Sequence, residues 1–208
     1  SAGADQTVCN NTATMDAYDP NVEGGSGSWS TLFGGGNIVN TNTCDTEINS
    51  LQPDTSKFRW TINEESCTNI SDDVKIINNT PSAADAGADQ TICTPSYTMQ
   101  AVNPAEGSGT WSYIGAAPQP NFDPNKHDAE VTNISPRSDG ATIFEWTVRK
   151  GDCIRKDTVE LTYDNLQANA GSDQTVCTDS YSLNADAANG NGKWSVDYSD
   201  VSPVFANI

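Results

Sequence analysis

Six cysteines carry most of the chemistry this 208-residue chain can offer. Cys9, Cys93 and Cys177 close three near-identical phrases, AGADQTVC, AGADQTIC and AGSDQTVC, each 84 residues after the last. Cys67 and Cys153 share a second phase, seven residues past the Trp of an F-x-W-T motif, and Cys44 stands outside both. No C-x-x-C pair occurs and His127 is the only histidine, so zinc lacks a ligand set. Thiols at repeat-phased positions without metal-binding spacing predict disulfides formed in an oxidising, extracellular compartment.

Other catalytic chemistries find little to work with. A single histidine leaves Ser-His-Asp and Cys-His arrangements without a base, and His127 is expected on a surface loop, aligned with Cys44 of the first repeat. The pairs Glu64-Glu65 and Asp72-Asp73 read as solvated turn residues, because an acid–base pair needs a cleft holding two carboxyls at a set separation. The chain is expected not to be an enzyme and to carry no organic cofactor. Calcium is the one metal its composition suits: Asp5, Asp89 and Asp173 recur in the repeated phrase, Asp85 and Asp164 sit in or beside the links, and hard oxygen ligands fit Ca²⁺. No DxDxDG loop is present, and the repeated Asp equally suits a turn held by its side chain.

The elements that position these groups are strands. The period divides the chain into repeats at 1–82, 83–167 and a partial third at 168–208, which is expected to be completed by residues beyond those present. Alternating runs such as Phe144-Trp146-Val148 and Val159-Leu161-Tyr163 are separated by Gly, Pro, Asn and Asp clusters every eight to twelve residues. In repeat 2 this predicts strands A (87–92), B (97–102), C (109–114), E (128–134), F (142–149) and G (157–163), with a weaker signal over 115–127. Six such strands predict an all-β, antiparallel sandwich for each repeat. Trp29, Trp111 and Trp194, each in a GxGxWS motif on strand C, are expected in the core with Trp60 and Trp146 of strand F. The glycines before Trp111, Gly107 and Gly109, read as a tight turn or bulge.

Composition sets the surroundings. A net charge of −18, spread over all three repeats, disfavours nucleic acid and anionic membranes as partners. No apolar run is long enough to span a bilayer, so this segment is not expected to insert into a membrane.

The phrases AGADQTVC, GxGxWS and FxWTVxxGxC followed by DTVELT resemble the PKD-like, immunoglobulin-like repeats that occur in tandem in large secreted surface proteins of Bacteroidetes, including gliding-motility adhesins. The resemblance covers both complete repeats and the start of the third. It implies tandem immunoglobulin-like (PKD-like) β-sandwiches in an extended array on the outer membrane, exported by type IX secretion. The implied function is a repetitive stalk that holds a binding surface away from the cell for attachment or gliding. Its partners would be neighbouring repeats of the same chain and an extracellular surface or polysaccharide. The same modules also act as spacers or carbohydrate-binding segments of secreted polysaccharide-degrading enzymes. One departure from antibody domains is that the cysteines lie at turns, with Trp146 in the F core.

Strand order leaves two disulfide schemes open. Cys9 and Cys93 fall in the A–B turn at one end of their sandwich, and Cys67 and Cys153 in the F–G turn at the other. A strand of six residues is about 20 Å long, whereas bonded cysteines have Cα atoms about 4.4–6.8 Å apart. Head-to-tail stacking would therefore join Cys9 to Cys153 across repeats, with Cys44 paired to Cys67. The local alternative is Cys9–Cys67 and Cys93–Cys153.

Overall fold

The computed structural model describes residues 1–63, 70–116, 118–136, 140–186 and 191–196, and in them the repeated phrase builds the same device in each copy. Before the glycine the chain follows strand B: the Ser1 carbonyl accepts from Tyr18 N–H at 3.0 Å and that of Asp85 from Val102 N–H at 2.9 Å. Gly3 (φ +87°) and Gly87 (φ +84°) then turn the backbone in the left-handed region, pressed against the carbonyls of Asp16 and Gln100. After them the chain crosses to the other sheet and runs parallel to strand G. Ala2 and Ala86, both buried, plug the crossing.

In repeat 1 the strands are β1 (Gln6–Val8), β2 (Ala13–Thr14), β3 (Ser26–Phe33), β4 (Asn37–Ile38), β5 (Glu47–Asn49), β6 (Asp54–Asn63) and β7 (Ile70–Asn78). They form a four-stranded sheet β1-β7-β6-β3 facing a three-stranded one, β2-β5-β4. Repeat 2 has β8 (Gln90–Ile92), β9 (Ser96–Thr98), β10 (Ser108–Ile114), β11 (Glu130–Thr132), β12 (Thr142–Lys150) and β13 (Cys153–Tyr163). Its sheets are β8-β13-β12-β10 and β9-β11. Strands B, C, E, F and G thus appear where alternation places them. Two details differ: strand A pairs in parallel with G, and the described residues of 115–127 hold only an isolated bridge, Asn121 to Thr132. One 3-10 turn, Pro20–Glu23, capped by the Asp19 carboxylate, fills the B–C loop of repeat 1. Among the described residues no helix is long and apolar enough to cross a membrane.

Each sandwich closes over a tryptophan pair in register. Trp29 lies opposite Trp60 and Trp111 opposite Trp146. The Trp29 and Trp111 N–H groups point away from strand F, to Thr41 and Pro124 carbonyls, so both are non-hydrogen-bonded pairs, the geometry that brings side chains closest. Ring centroids stand 5.0 and 4.9 Å apart at tilts of 44° and 45°. All four rings are buried. The second glycine of GxGxWS explains itself here: Gly27 and Gly109 lie within the strand, directly under the indoles of Trp60 and Trp146, where a Cβ would overlap the ring. Gly107 alone takes the turn role, at φ +97°.

Residues 168–186 and 191–196 form no strand, and their side chains are exposed. Trp194, expected in a core, is 38% exposed. Strand F supplies the rings against which Trp29 and Trp111 pack, and the third copy has no strand F within these 208 residues. The glycine pivot and its opening hydrogen bond are nonetheless there: Gly171 has φ +85° and the Asn169 carbonyl accepts from Asp186 N–H at 3.1 Å.

Candidate functional site at the repeat junction

Two of the six cysteines and one lysine-centred charge cluster meet between repeats 1 and 2. Strand β1 ends at Val8, and Cys9 follows at the A–B turn. The β12–β13 hairpin of repeat 2 turns at Gly151 and presents Cys153 as the first residue of β13. A disulfide joins Cys9 to Cys153, 144 residues apart in sequence, with a Cα–Cα distance of 5.3 Å. The Cys153 sulfur lies 3.7 Å from the Val8 carbonyl oxygen and is buried. Gly151 faces the Asn79 side chain so closely that a Cβ would strike the amide.

A charged contact flanks the bond. Lys150 Nζ donates to Glu106 at 2.8 Å and to Asp54 of repeat 1 at 3.2 Å. Its side chain is mostly covered, and the Glu106 carboxylate raises its pKa above the ordinary lysine value. The link itself is held as well. Asn79 N–H donates to Val8, Ser82 N–H to the Glu106 carbonyl at 3.0 Å, and Glu106 N–H back to Ser82 Oγ at 2.9 Å. Pro81 is buried.

Of the expected second bond, Cys44–Cys67, only the Cys44 end is described. Cys44 is a free thiol, half-buried against the repeat 1 core, and Cys67 lies outside the described residues, as do Glu64 and Glu65. Cys93 and Cys177 are free and exposed, and with Cys153 bound to Cys9 the local Cys9–Cys67 and Cys93–Cys153 scheme is not formed. The reason is geometric: Cys93 closes β8 at the end of the sandwich opposite the hairpin that carries Cys153.

The calcium candidates are spread apart and mostly serve the backbone. Asp5 accepts from Lys75 N–H at 2.9 Å and Asp89 from Glu160 N–H at 2.8 Å, pinning strand A to strand G in both repeats. Asp85 accepts from Gly87 N–H, closing a turn. Asp164 and Asp173 are exposed. Among the described residues no group of three or more His, Cys, Asp or Glu is placed to hold a metal.

Asp72 and Asp73 are not turn residues; they lie on β7. Asp72 accepts from Ala2 N–H at 2.9 Å, as Asp157 does from Ala86 N–H at 2.8 Å in repeat 2. Asp73 takes Arg59 Nε at 2.7 Å and Lys57 Nζ at 2.9 Å, and the Arg59 guanidinium foremost brings its pKa down to about 2. His127 is half-buried in the turn that precedes strand E, its Nδ1 3.1 Å from the Ala101 carbonyl, while its own carbonyl accepts from Trp111 Nε1. Both partners are structural. The aspartates' role was hidden in sequence because it runs through main-chain N–H groups about 70 residues away; their recurrence in phase was the available signal.

No family model matches the chain, and no curated protein matches it. Solved structures do. The insect immune protein hemolin superimposes with a TM-score of 0.50 at 5% identity, covering 79% of this chain and 46% of hemolin. Sidekick-1 immunoglobulin domains 1–4 match at 0.45 and 14% identity, over 79% of this chain and 48% of that one. Extracellular domains 3–5 of Drosophila OTK match at 0.43 and 8% identity, over 76% and 57%. The chain thus spans about half the length of these proteins. Together with the two sandwiches described above, the hemolin match identifies the fold: this is an all-β chain of tandem immunoglobulin-like domains.

Proposed function

We propose that the chain is a stalk segment of a secreted cell-surface adhesin, in which sandwiches at 1–82 and 83–167 extend a binding surface from the cell for attachment or gliding. The observation that carries this reading is the disulfide between repeats. A bond that closes a core stabilises one domain, whereas Cys9–Cys153 fixes the orientation of two domains that each have a core of their own. Fixed orientation is what a stalk requires and a free string of modules lacks.

The anionic, strand-built surface and the disulfide fit an extracellular location, with adjacent repeats as the principal partners. A sugar-stacking platform has less support, since Trp29, Trp60, Trp111 and Trp146 are spent on the two cores. Among the described residues no catalytic constellation competes with the mechanical reading.

Small-angle scattering of the 208-residue chain with and without reductant tests it. An elongated particle whose flexibility rises on reduction is the expected result. A compact particle, or a flexible one in the oxidised state, sinks the stalk.

A further inference from the structure

We infer that the Cys93 end of repeat 2 is a second socket, whose occupant is a further immunoglobulin-like repeat of this same type bringing the cysteine of its F–G hairpin to Cys93. This rests on the stalk reading and names the partner that the stalk's next joint takes.

The occupied junction supplies the template. In repeat 1 the socket is the end of β1, where Val8 lies opposite Asn78, its carbonyl accepts from Asn79 N–H at 2.9 Å, and Cys9 follows. In repeat 2 the end of β8 repeats this: Ile92 lies opposite Tyr163, its carbonyl accepts from Asp164 N–H at 2.9 Å, and Cys93 follows. One socket is filled by a hairpin cysteine. The other presents a free, exposed thiol in the same setting.

What comes after the socket is the start of the same kind of repeat. The phrase from Ala170 has the Gly171 pivot and the Asn169–Asp186 hydrogen bond that open repeats 1 and 2. In the 84-residue period its F–G hairpin falls beyond Ile208. The two joints are not identical, however. Asp54, which takes Lys150 across the first junction, aligns with Gly140 in repeat 2, so the second joint would be held by the disulfide without that ion pair.

The bond forms by thiol–disulfide exchange with a small-molecule disulfide such as oxidised glutathione. The Cys93 thiolate attacks it, displacing one thiolate and leaving a mixed disulfide. The hairpin thiolate then attacks the Cys93 sulfur and displaces the second, and the two protons lost by the protein thiols go to the two small thiolates.

The test completes the third repeat from sequence already in hand. Ile208 aligns with Asn125, so residues 126–167 are appended after Ile208, and the chain is refolded in a glutathione redox pair. Non-reducing peptide mapping is expected to find Cys93 linked to the appended copy of Cys153, and Cys93→Ser to leave that copy open to alkylation. A folded chain in which the copy is bonded to Cys177, or is alkylated with Cys93 intact, overturns the inference. Should the appended chain fail to fold, residues 1–169 followed directly by 86–167 give a third repeat copied wholly from the second, read by the same criteria. The two readings fail separately: a free Cys93 in an elongated particle removes only the socket, and a formed bond in a compact particle removes only the stalk.

Discussion

The chain leaves a complete sandwich twice, each time through six residues whose first N–H bonds back to the end of strand A, and from there the two exits differ. Residues 79–84 are tied to both repeats: Pro81 is buried, Ser82 and Glu106 exchange hydrogen bonds, and Ala84 packs on the repeat 2 core. Residues 164–169 are exposed throughout. Asp164 bonds to Ile92 of repeat 2, Gln167 bonds to Asn165 within the link, and Asn169 bonds to Asp186 in the exposed, strandless segment that follows. Short links are commonly credited with rigidity for their length alone. Here length is constant, and what changes is whether a neighbouring hairpin and loop close over the link.

Breaking that difference begins with the disulfide. Cys9→Ala with Cys153→Ala should make the first link as open to proteolysis as the second. It should also remove up to about 5 kcal/mol of the chain-entropy stabilisation expected for a loop of this length, if the two repeats unfold together. Cleavage rates at 79–84 and 164–169, compared in one digest, give the answer; an unchanged ratio would mean that the hydrogen-bonded link suffices. The next effect should leave the comparison intact. Gly27→Ala and Gly109→Ala each force a methyl into an indole, and overpacking of this kind costs about 1–3 kcal/mol or more. Because the two tryptophan pairs match so closely, the two losses should be similar and neither should speed cleavage of the first link; melting of each variant checks this.

Lys150→Met probes the weaker fastener. The Asp54 carboxylate is 83% exposed, so its share is worth under about 1 kcal/mol and should vanish in high salt. Equal cleavage of the wild type and the variant in salt, with a small gap at low ionic strength, is expected. Acid should move the junction least. Asp73, held near 2 by Arg59, and Asp5 and Asp72, lowered by the N–H groups of Lys75 and Ala2, have folded pKa values below the unfolded carboxylate value. Their stabilisation is present above about pH 4 and is lost as pH falls through the lowered values, which for Asp73 is about 2. Tryptophan fluorescence should therefore report weakening of repeat 1 over that window while the disulfide persists. If the link opens to acid-active protease before the repeat 1 core melts, the charge network and the junction are coupled after all.

Much of this architecture was legible because the sequence says it twice. The GxGxWS and FxWT motifs put one aromatic on each of two long neighbouring strands, and alternation turned both inward. Short elements left weaker traces. A three-residue strand such as β8 has no period to read, so its parallel pairing with G was missed, and a glycine under an indole looks the same in sequence as a glycine in a turn. Of the candidate site, the turn positions of Cys9 and Cys153 limited the pairing to two schemes, and the orientation of the repeats selects between them. Trp194 shows the opposite error, since a residue type expected in a core has none to join without the neighbouring strand F.

One consequence of the Cys9–Cys153 bond concerns force. Tension applied between Ser1 and Gln167 enters at the first strand, crosses the disulfide, and leaves along the last, so that residues 10–152 hang outside the load path. Only about two dozen residues can then be drawn out, roughly 80 Å of contour, against more than about 500 Å for the reduced chain. A single-molecule extension trace would read this directly, and a long oxidised extension would refute it. Oxidised, the two domains behave as a tether that can yield no more than its first and last strands, β1 and β13; reduced, the same polypeptide becomes a shock absorber.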